Sequence, residues 1–270
     1  MLLTPNKYIG YQAADLQTAW SQYYNETINP IPPHVAHALH TSPMPSTQFL
    51  SIQEVRTLTQ DGYLPVETGY CIAPDSALHV AVLTHMPQVS PAMWHWWFGW
   101  HGSMDNRYKL WHPKAHQSAQ WKDGDNTRTD YINRTSMIEE YIGKKLEKAS
   151  IQFCDPSLLN LPSQTNKNDM VFICARVGYT HIPLNFGWLV HQVRTTTQGA
   201  EMRSRFWMGG SHIQIRGNGG VLSNLVSAAL QRFKKLPKEQ AIDLLTHCAE
   251  EMNHLAGILP ALYHEFGTTK

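Results

Sequence analysis

Charge is scarce in this chain of 270 residues. Asp, Glu, Lys and Arg make up 16% of it, where about 25% is usual, and they nearly cancel to a formal net charge of +1. A broad basic footprint for nucleic acid or anionic lipid is excluded, and a small-molecule partner is expected. Long apolar runs are lacking as well. The most hydrophobic windows are broken by His, Gly or Pro within about ten residues, short of the roughly eighteen that span a bilayer, so no membrane segment is expected. The N-terminus MLLTPNKYIGYQ has no basic stretch followed by an apolar one, which removes the secretory signal and makes a cytoplasmic address the expectation. Only four cysteines occur (Cys71, Cys154, Cys174 and Cys248), without C-x-x-C spacing. That argues against a zinc ribbon or disulfide framework and fits buried, reduced thiols.

What the chain has in quantity is ring chemistry: 15 His, 9 Trp, 11 Tyr and 8 Phe. Such a composition suits an aromatic-lined pocket and offers many potential metal ligands. With 42% hydrophobic residues, disorder is ruled out, and at roughly 150 residues per domain the length implies one large domain or two unequal ones.

The first 62 residues read as an arm or small subdomain: a helical stretch over Ala13 to Tyr24, then NPIPPHVAHALHTSPMPS as an extended, proline-rich connection. Residues 63–270 form the main domain. There the texture changes to short runs rich in Val, Ile, Thr and aromatics: ETGYCIA, ALHVAVLTHM, TSMIEEYIG, SIQFCD, DMVFICARVGY, GWLVHQVRTT and AEMRSRFWM. Turns at Ala73-Pro74-Asp75, Gln198-Gly199 and Asn218-Gly219-Gly220 favour hairpins in an antiparallel sheet. Two helices follow, VLSNLVSAALQRFKK and, after Pro237, a long one expected to bend or break at Pro260. Strands followed by a long C-terminal helix predict an α+β domain with that helix on a curved sheet and a ligand cavity between them.

On the last helix, at 100° per residue from His247, the set Ile242, Leu245, Cys248, Ala249, Met252, Ala256 and Leu259 falls at roughly 100° to 220° and reads as core. Glu239, Asp243, Thr246, Glu250, Asn253 and His254 fall at roughly 240° to 340° and read as solvated, so a Glu250 and His254 pair is assigned to water. His247 and Glu251 share a third face with Leu244, Leu255 and Ile258. An unpaired carboxylate there is costly, so the two must pair with each other, with another side chain or with a metal, and H-x-x-x-E by itself leaves these alternatives open. Residues 93–121 hold six of the nine Trp, together with His95, His101, His112 and His116. The first three of these histidines read as members of an aromatic core segment or as surface groups. In SMIEEYIG, strand alternation sends one of Glu139 and Glu140 inward and the other outward.

Taken in order, VETGYCIAPDSALHVAVLTHMP, MWHWWFGWH, RYKLWHPKAH, EYIG, IQFCDP, LVHQVR, GAEMRSRFWMGG and HCAEEMNHLAGILPALY resemble the 2,4-diacetylphloroglucinol hydrolase and phloretin hydrolase family. The resemblance runs from about residue 64 to 263. It implies a helix-grip fold similar to Bet v 1-like proteins and a Zn²⁺-dependent enzyme that cleaves the carbon–carbon bond between an acyl group and a phenolic ring. The ligand set it implies is His116, Glu140, His247 and Glu251, with Glu139 and Glu147 as alternatives to Glu140. It also points to Tyr108 beside the acyl carbonyl, and to Phe206 and His191 in the substrate pocket. Phe206 stands where a second Tyr is expected and Ala119 where a polar residue is, so the substrate is expected to differ from that of the best-known member.

The reading is therefore a zinc hydrolase of aromatic ketones, with a homodimer as an open alternative to a monomer. Two rivals remain at this level: a non-catalytic helix-grip carrier of hydrophobic aromatics, and a zinc ester or amide hydrolase on the same scaffold.

Overall fold

A computed structural model describes residues 7–163, 169–217, 221–233 and 235–267; the expected Asn218-Gly219-Gly220 turn and residues 1–6 lie outside these. The strands are β1 Gly69–Ile72, β2 Leu78–Pro87, β3 His116–Trp121, β4 Thr135–Ile142, β5 Lys145–Cys154, β6 Met170–Tyr179, β7 Leu184–Thr196, β8 Gly199–Met208 and β9 Gln214–Ile215. The helices are α1 Pro33–Thr41, α2 Pro91–Trp100, α3 Asp105–Lys109, α4 Val221–Phe233 and α5 Glu239–Phe266. None is long and apolar enough to cross a membrane, among the described residues.

Every strand pair is antiparallel, in the order β1-β2-β8-β7-β6-β5-β4-β3, with β9 on β7. Helix α5 touches β1 and β2 near one end of this order and β4 near the other. A sheet that meets one helix with both ends must curl around it, and this is the helix-grip arrangement. Leu245, Cys248, Ala249, Met252, Leu255, Leu259 and Leu262 of α5 fill the trough, all essentially without solvent contact. The opposite face of β6, β7 and β8 is covered by Ile52, Val55 and Leu58 from a 3-10 stretch over Ile52–Thr59, packed on Phe172, Cys174, Val190 and Trp207. Cover on both faces explains the nearly unbroken apolar run of β6, whereas β8 buries Arg203 and Arg205, both paired with Glu67.

Two tight turns fix the edges of the trough. Between β7 and β8, Thr196 pairs with Gly199 across a two-residue loop. Between β4 and β5, Gly143 has φ +61°, and a Cβ there would come within 2.4 Å of Asp243 Oδ2. Only glycine lets this hairpin tip close onto α5, one turn before His247.

Four local expectations are corrected. Ala13 to Tyr24 is not a helix but two short 3-10 turns, Asp15–Gln17 and Ser21–Tyr23. Trp20, Tyr23 and Tyr24 there pack on the main core, so tertiary contacts set the path instead of helical propensity. The proline-rich connection contains α1, which starts with Pro33 in its first turn, where a missing N–H costs nothing. β3 was unrecognised because HQSAQW carries little β-branched character. Helix α5 runs through Pro260 to Phe266; buried Leu259 and Leu262, and Phe266 stacked on Trp100, outweigh the one backbone bond that Pro260 removes.

Candidate metal centre

Helix α2 builds the back wall. Trp94, Trp97, Phe98 and His101 recur at i, i+3, i+4 and i+7, and all four are buried. His101 thus belongs to the core, and so does His112; only His95 stays partly exposed, against the Tyr131 hydroxyl. The short α3 then delivers Tyr108, and β3 opens with His116, which has no solvent exposure.

Four side chains converge. His116 and Glu140 are directly opposed across the β3–β4 pair, with His116 Nε2 at 3.3 Å from Glu140 Oε2. From α5, Glu251 Oε2 lies 3.4 Å from His116 Nε2 and 3.7 Å from His247 Nε2. The two imidazole Nε2 atoms are 3.4 Å apart. One ligand atom from each of His116, Glu140 and His247 can be chosen so that all lie within 4.8 Å, a group able to hold a metal ion.

Both histidines are oriented from behind. The Tyr108 carbonyl accepts from His116 Nδ1 at 3.0 Å, so this nitrogen carries the proton and Nε2 presents its lone pair to the cluster. His247 hydrogen-bonds the Tyr141 backbone. Burial, reinforced for His116 by His247 and for His247 by His112, holds both imidazoles neutral, well below their usual pKa. Burial likewise raises Glu251 well above the carboxylate range, aided by Glu140, and raises Glu140 to about 7 even though the Tyr108 hydroxyl donates to it. A buried and a partly buried carboxylate (Glu251 and Glu140) beside two neutral imidazoles, with no Lys or Arg lining the cavity among the described residues, suit a divalent cation.

The neighbouring glutamates go elsewhere. Glu139 faces outward to Lys7 at 2.8 Å and Lys148 at 3.2 Å. Glu147, opposite Glu140 on β5, pairs with Lys145 at 2.6 Å. Glu250 is not paired with His254: it stands 3.2 Å from His112 Nε2, and His112 stacks on His247 at 5.0 Å. His254, placed in water by the helical wheel, is buried. The wheel treats α5 as lying on a flat surface, whereas the curled sheet and the aromatic helices cover more of its circumference.

The cluster opens into a cavity whose lining includes Phe98, His101, Tyr108, Trp111, Phe153, His191 and Phe206. His191 Nδ1 is held by Ser204 Oγ at 2.8 Å, and its ring stacks on Phe98 and meets Phe206 edge-on. Ala119 is buried outside this cavity and donates its backbone N–H to Asp105. The register shift between His116 and Ser118 sets Ala119 opposite Ile138, on the same sheet face as His116, where it packs in the main core. Sequence reasoning missed Ser136 and Trp111 as cavity residues. Ser136 was readable by alternation in β4, two and four residues before Ile138 and Glu140.

Proteins similar to this chain include 2,4-diacetylphloroglucinol hydrolase of Pseudomonas protegens, 25% identical over 95% of this chain and 87% of the relative. Phloretin hydrolase of Eubacterium ramulus is also 25% identical, over 97% of this chain and 95% of the relative. Among solved structures, Ara h 8.0201 aligns with 68% of this chain and 99% of its own, at 10% identity and a TM-score of 0.41. The family model of the DAPG hydrolase PhiG domain matches residues 49–264, a span that carries all four converging residues, and the chain belongs to that hydrolase family.

Proposed function

We propose that this chain is a zinc-dependent hydrolase that cleaves the carbon–carbon bond between an acyl group and a phenolic ring of the phloroglucinol type. The observation that carries the reading is the convergence of two carboxylates, one buried and one partly buried, with two neutral imidazoles beside an aromatic cavity, in a chain similar to two hydrolases named for such phenols. His116, Glu140, His247 and Glu251 are the residues that would hold the ion. A Zn²⁺ bound there supplies Lewis acidity, polarising an acyl carbonyl and lowering the pKa of water to about 7.

The balance of the reaction is simple: water gives OH to the acyl carbon, which leaves as a carboxylic acid, and H to the ring carbon. A hydroxyl ortho to the acyl group lets the ring take that proton as a keto tautomer, so the ring departs as a stabilised phenolate. Burial and Glu140 raise the Tyr108 phenol well above its usual pKa, so it keeps its proton and can position or protonate the ring. Phe98, Trp111 and Phe153 exclude bulk water. His191, held by Ser204, orients the substrate. Phe206 offers no hydroxyl at the position where the relatives are expected to have one.

The test is elemental analysis of untagged protein, with chromatography of products from acetylphloroglucinol. Stoichiometric zinc and release of phloroglucinol plus acetate are expected. Protein that neither contains nor takes up zinc would overturn the reading in favour of a carrier. Zinc with cleavage of aryl esters alone would overturn it in favour of an ester hydrolase.

A further inference from the structure

Beyond the cluster lies a second chamber. The inner cavity, lined by three of the four converging residues (Glu140, His247 and Glu251), meets another, and the two share Glu140, Ile142, Ile151, Leu189, Phe206 and Leu244 as common walls. Strand alternation explains the axis. β4 presents Ser136, Ile138, Glu140 and Ile142 on one face, roughly 7 Å per pair of residues, so the line from Ser136 to Ile142 runs from the inner chamber past Glu140 into the outer one. β5 runs parallel to this line in the opposite sense, with Phe153 inner, Ile151 shared and Ala149 outer.

The chambers differ in chemistry. In the inner one, Ser136 Oγ and Trp111 Nε1 are buried, at 2% and 6% residue exposure, and have no hydrogen-bond partner among the described residues. An indole N–H can only donate, so these groups call for a ligand carrying oxygen. The outer chamber is walled mainly by apolar groups, among them Ala149, Val177, Phe186, Met208 and Leu236, with Glu147, Tyr179 and Gln240 as polar members beside the shared Glu140.

A ketone cleaved between ring and acyl carbon has two ends, on opposite sides of the attacked atom. We propose that the hydroxylated ring sits in the inner chamber, with its oxygens accepting from Ser136 and Trp111, and that the acyl chain extends past Glu140 into the outer chamber. The preferred substrates then carry a long or bulky apolar acyl chain, not acetyl. This orientation rests on the reading of the chain as an acylphenol hydrolase.

Alkylphloroglucinols lack the carbonyl, cannot be hydrolysed and so report the chambers apart from the chemistry. Titration calorimetry with ethyl- and hexylphloroglucinol should show the hexyl compound binding about tenfold tighter or more, from the burial of four extra methylenes. Ala149→Leu, which narrows the outer chamber, should shrink that ratio, and Leu236→Ala, which widens it from a partly exposed position, should preserve or raise it. Ser136→Ala should weaken both compounds alike, by about fivefold. Equal affinities for the two compounds would overturn the proposal. So would a chain-length ratio that responds to Ser136→Ala and not to Ala149→Leu, the signature of the reverse orientation. Chain-length-dependent binding without cleavage of any acyl analogue would sink the functional reading and leave the two-chamber assignment standing. Cleavage with no chain-length dependence would do the converse.

Discussion

Tyr108 and His116 are joined twice. The Tyr108 carbonyl accepts the His116 Nδ1 proton at 3.0 Å, and the two rings lie flat on each other with centroids 3.9 Å apart and planes 7° from parallel. The same tyrosine sends its hydroxyl to Glu140 on the far side of the cluster. Its backbone and ring face therefore orient one of the four converging side chains, while its hydroxyl alone is available for a proton.

Tyr108→Phe separates these tasks, because the carbonyl bond and the stacked ring survive. Zinc content is predicted to hold while kcat falls by about 10²- to 10⁴-fold, the range for a lost general acid. Metal analysis beside steady-state kinetics checks this. Loss of zinc in the variant would assign the hydroxyl to holding Glu140, not to catalysis.

The glutamates provide two matched pairs. Glu251→Gln and Glu140→Gln should each lower zinc occupancy and activity steeply, since each carboxylate reaches the histidine nitrogens. Glu250→Gln should lose neither, and Glu139→Gln should lose only surface ion pairs with Lys7 and Lys148, about 1 kcal/mol or less. Unchanged metal in the Glu251 variant, or an equal loss for Glu139 and Glu140, rejects the assignment.

That contrast between adjacent glutamates also marks how far sequence reasoning reaches. Period-2 alternation separates Glu139 from Glu140, and period-3.6 geometry places His247 and Glu251 on one face, so local rules are sufficient there. They do not reach His112, whose stacking on His247 joins residues 135 positions apart, nor the burial of His254. Both depend on how tightly the sheet curls around α5. The helix Pro33–Thr41 escaped notice for another reason: proline punctuates a sequence in the same way whether it begins a helix or interrupts one.

Phe206→Tyr restores the phenol expected from the family resemblance, at a wall shared by both chambers. Relative kcat/KM should move toward acylphloroglucinols, against a ketone without ring hydroxyls, by about 1 to 3 kcal/mol if the new hydroxyl contacts substrate. An unchanged ratio makes Phe206 a packing residue.

Acid sensitivity follows from His191. Burial holds its folded-state pKa near about 3, below the 6.5 of a free imidazole. Between these values the unfolded chain binds a proton that the folded chain does not. The stability contribution is therefore complete above about pH 6.5 and is lost as pH falls toward 3, at about 1.4 kcal/mol per pH unit for one proton. Denaturant melts of the wild type and His191→Gln between pH 4.5 and 7 should show a shallower acid-side decline in the variant. Parallel curves would show that His191 takes up a proton in the folded state. His101, lowered to about 4 for the same reason, adds to the decline in both proteins.

The helix that grips the sheet follows every strand in the order of synthesis. A ribosome thus completes a nine-stranded trough, with its apolar concave face, before making the segment that fills it, and two of the four converging side chains arrive only with that segment. The nascent protein passes through a stage with a finished container and no lining, the kind of exposed apolar surface that aggregates or engages chaperones. Soluble yield should therefore be governed by how quickly α5 is delivered after β8, and a strong translational pause between them should lower it without altering the stability of the protein that does fold.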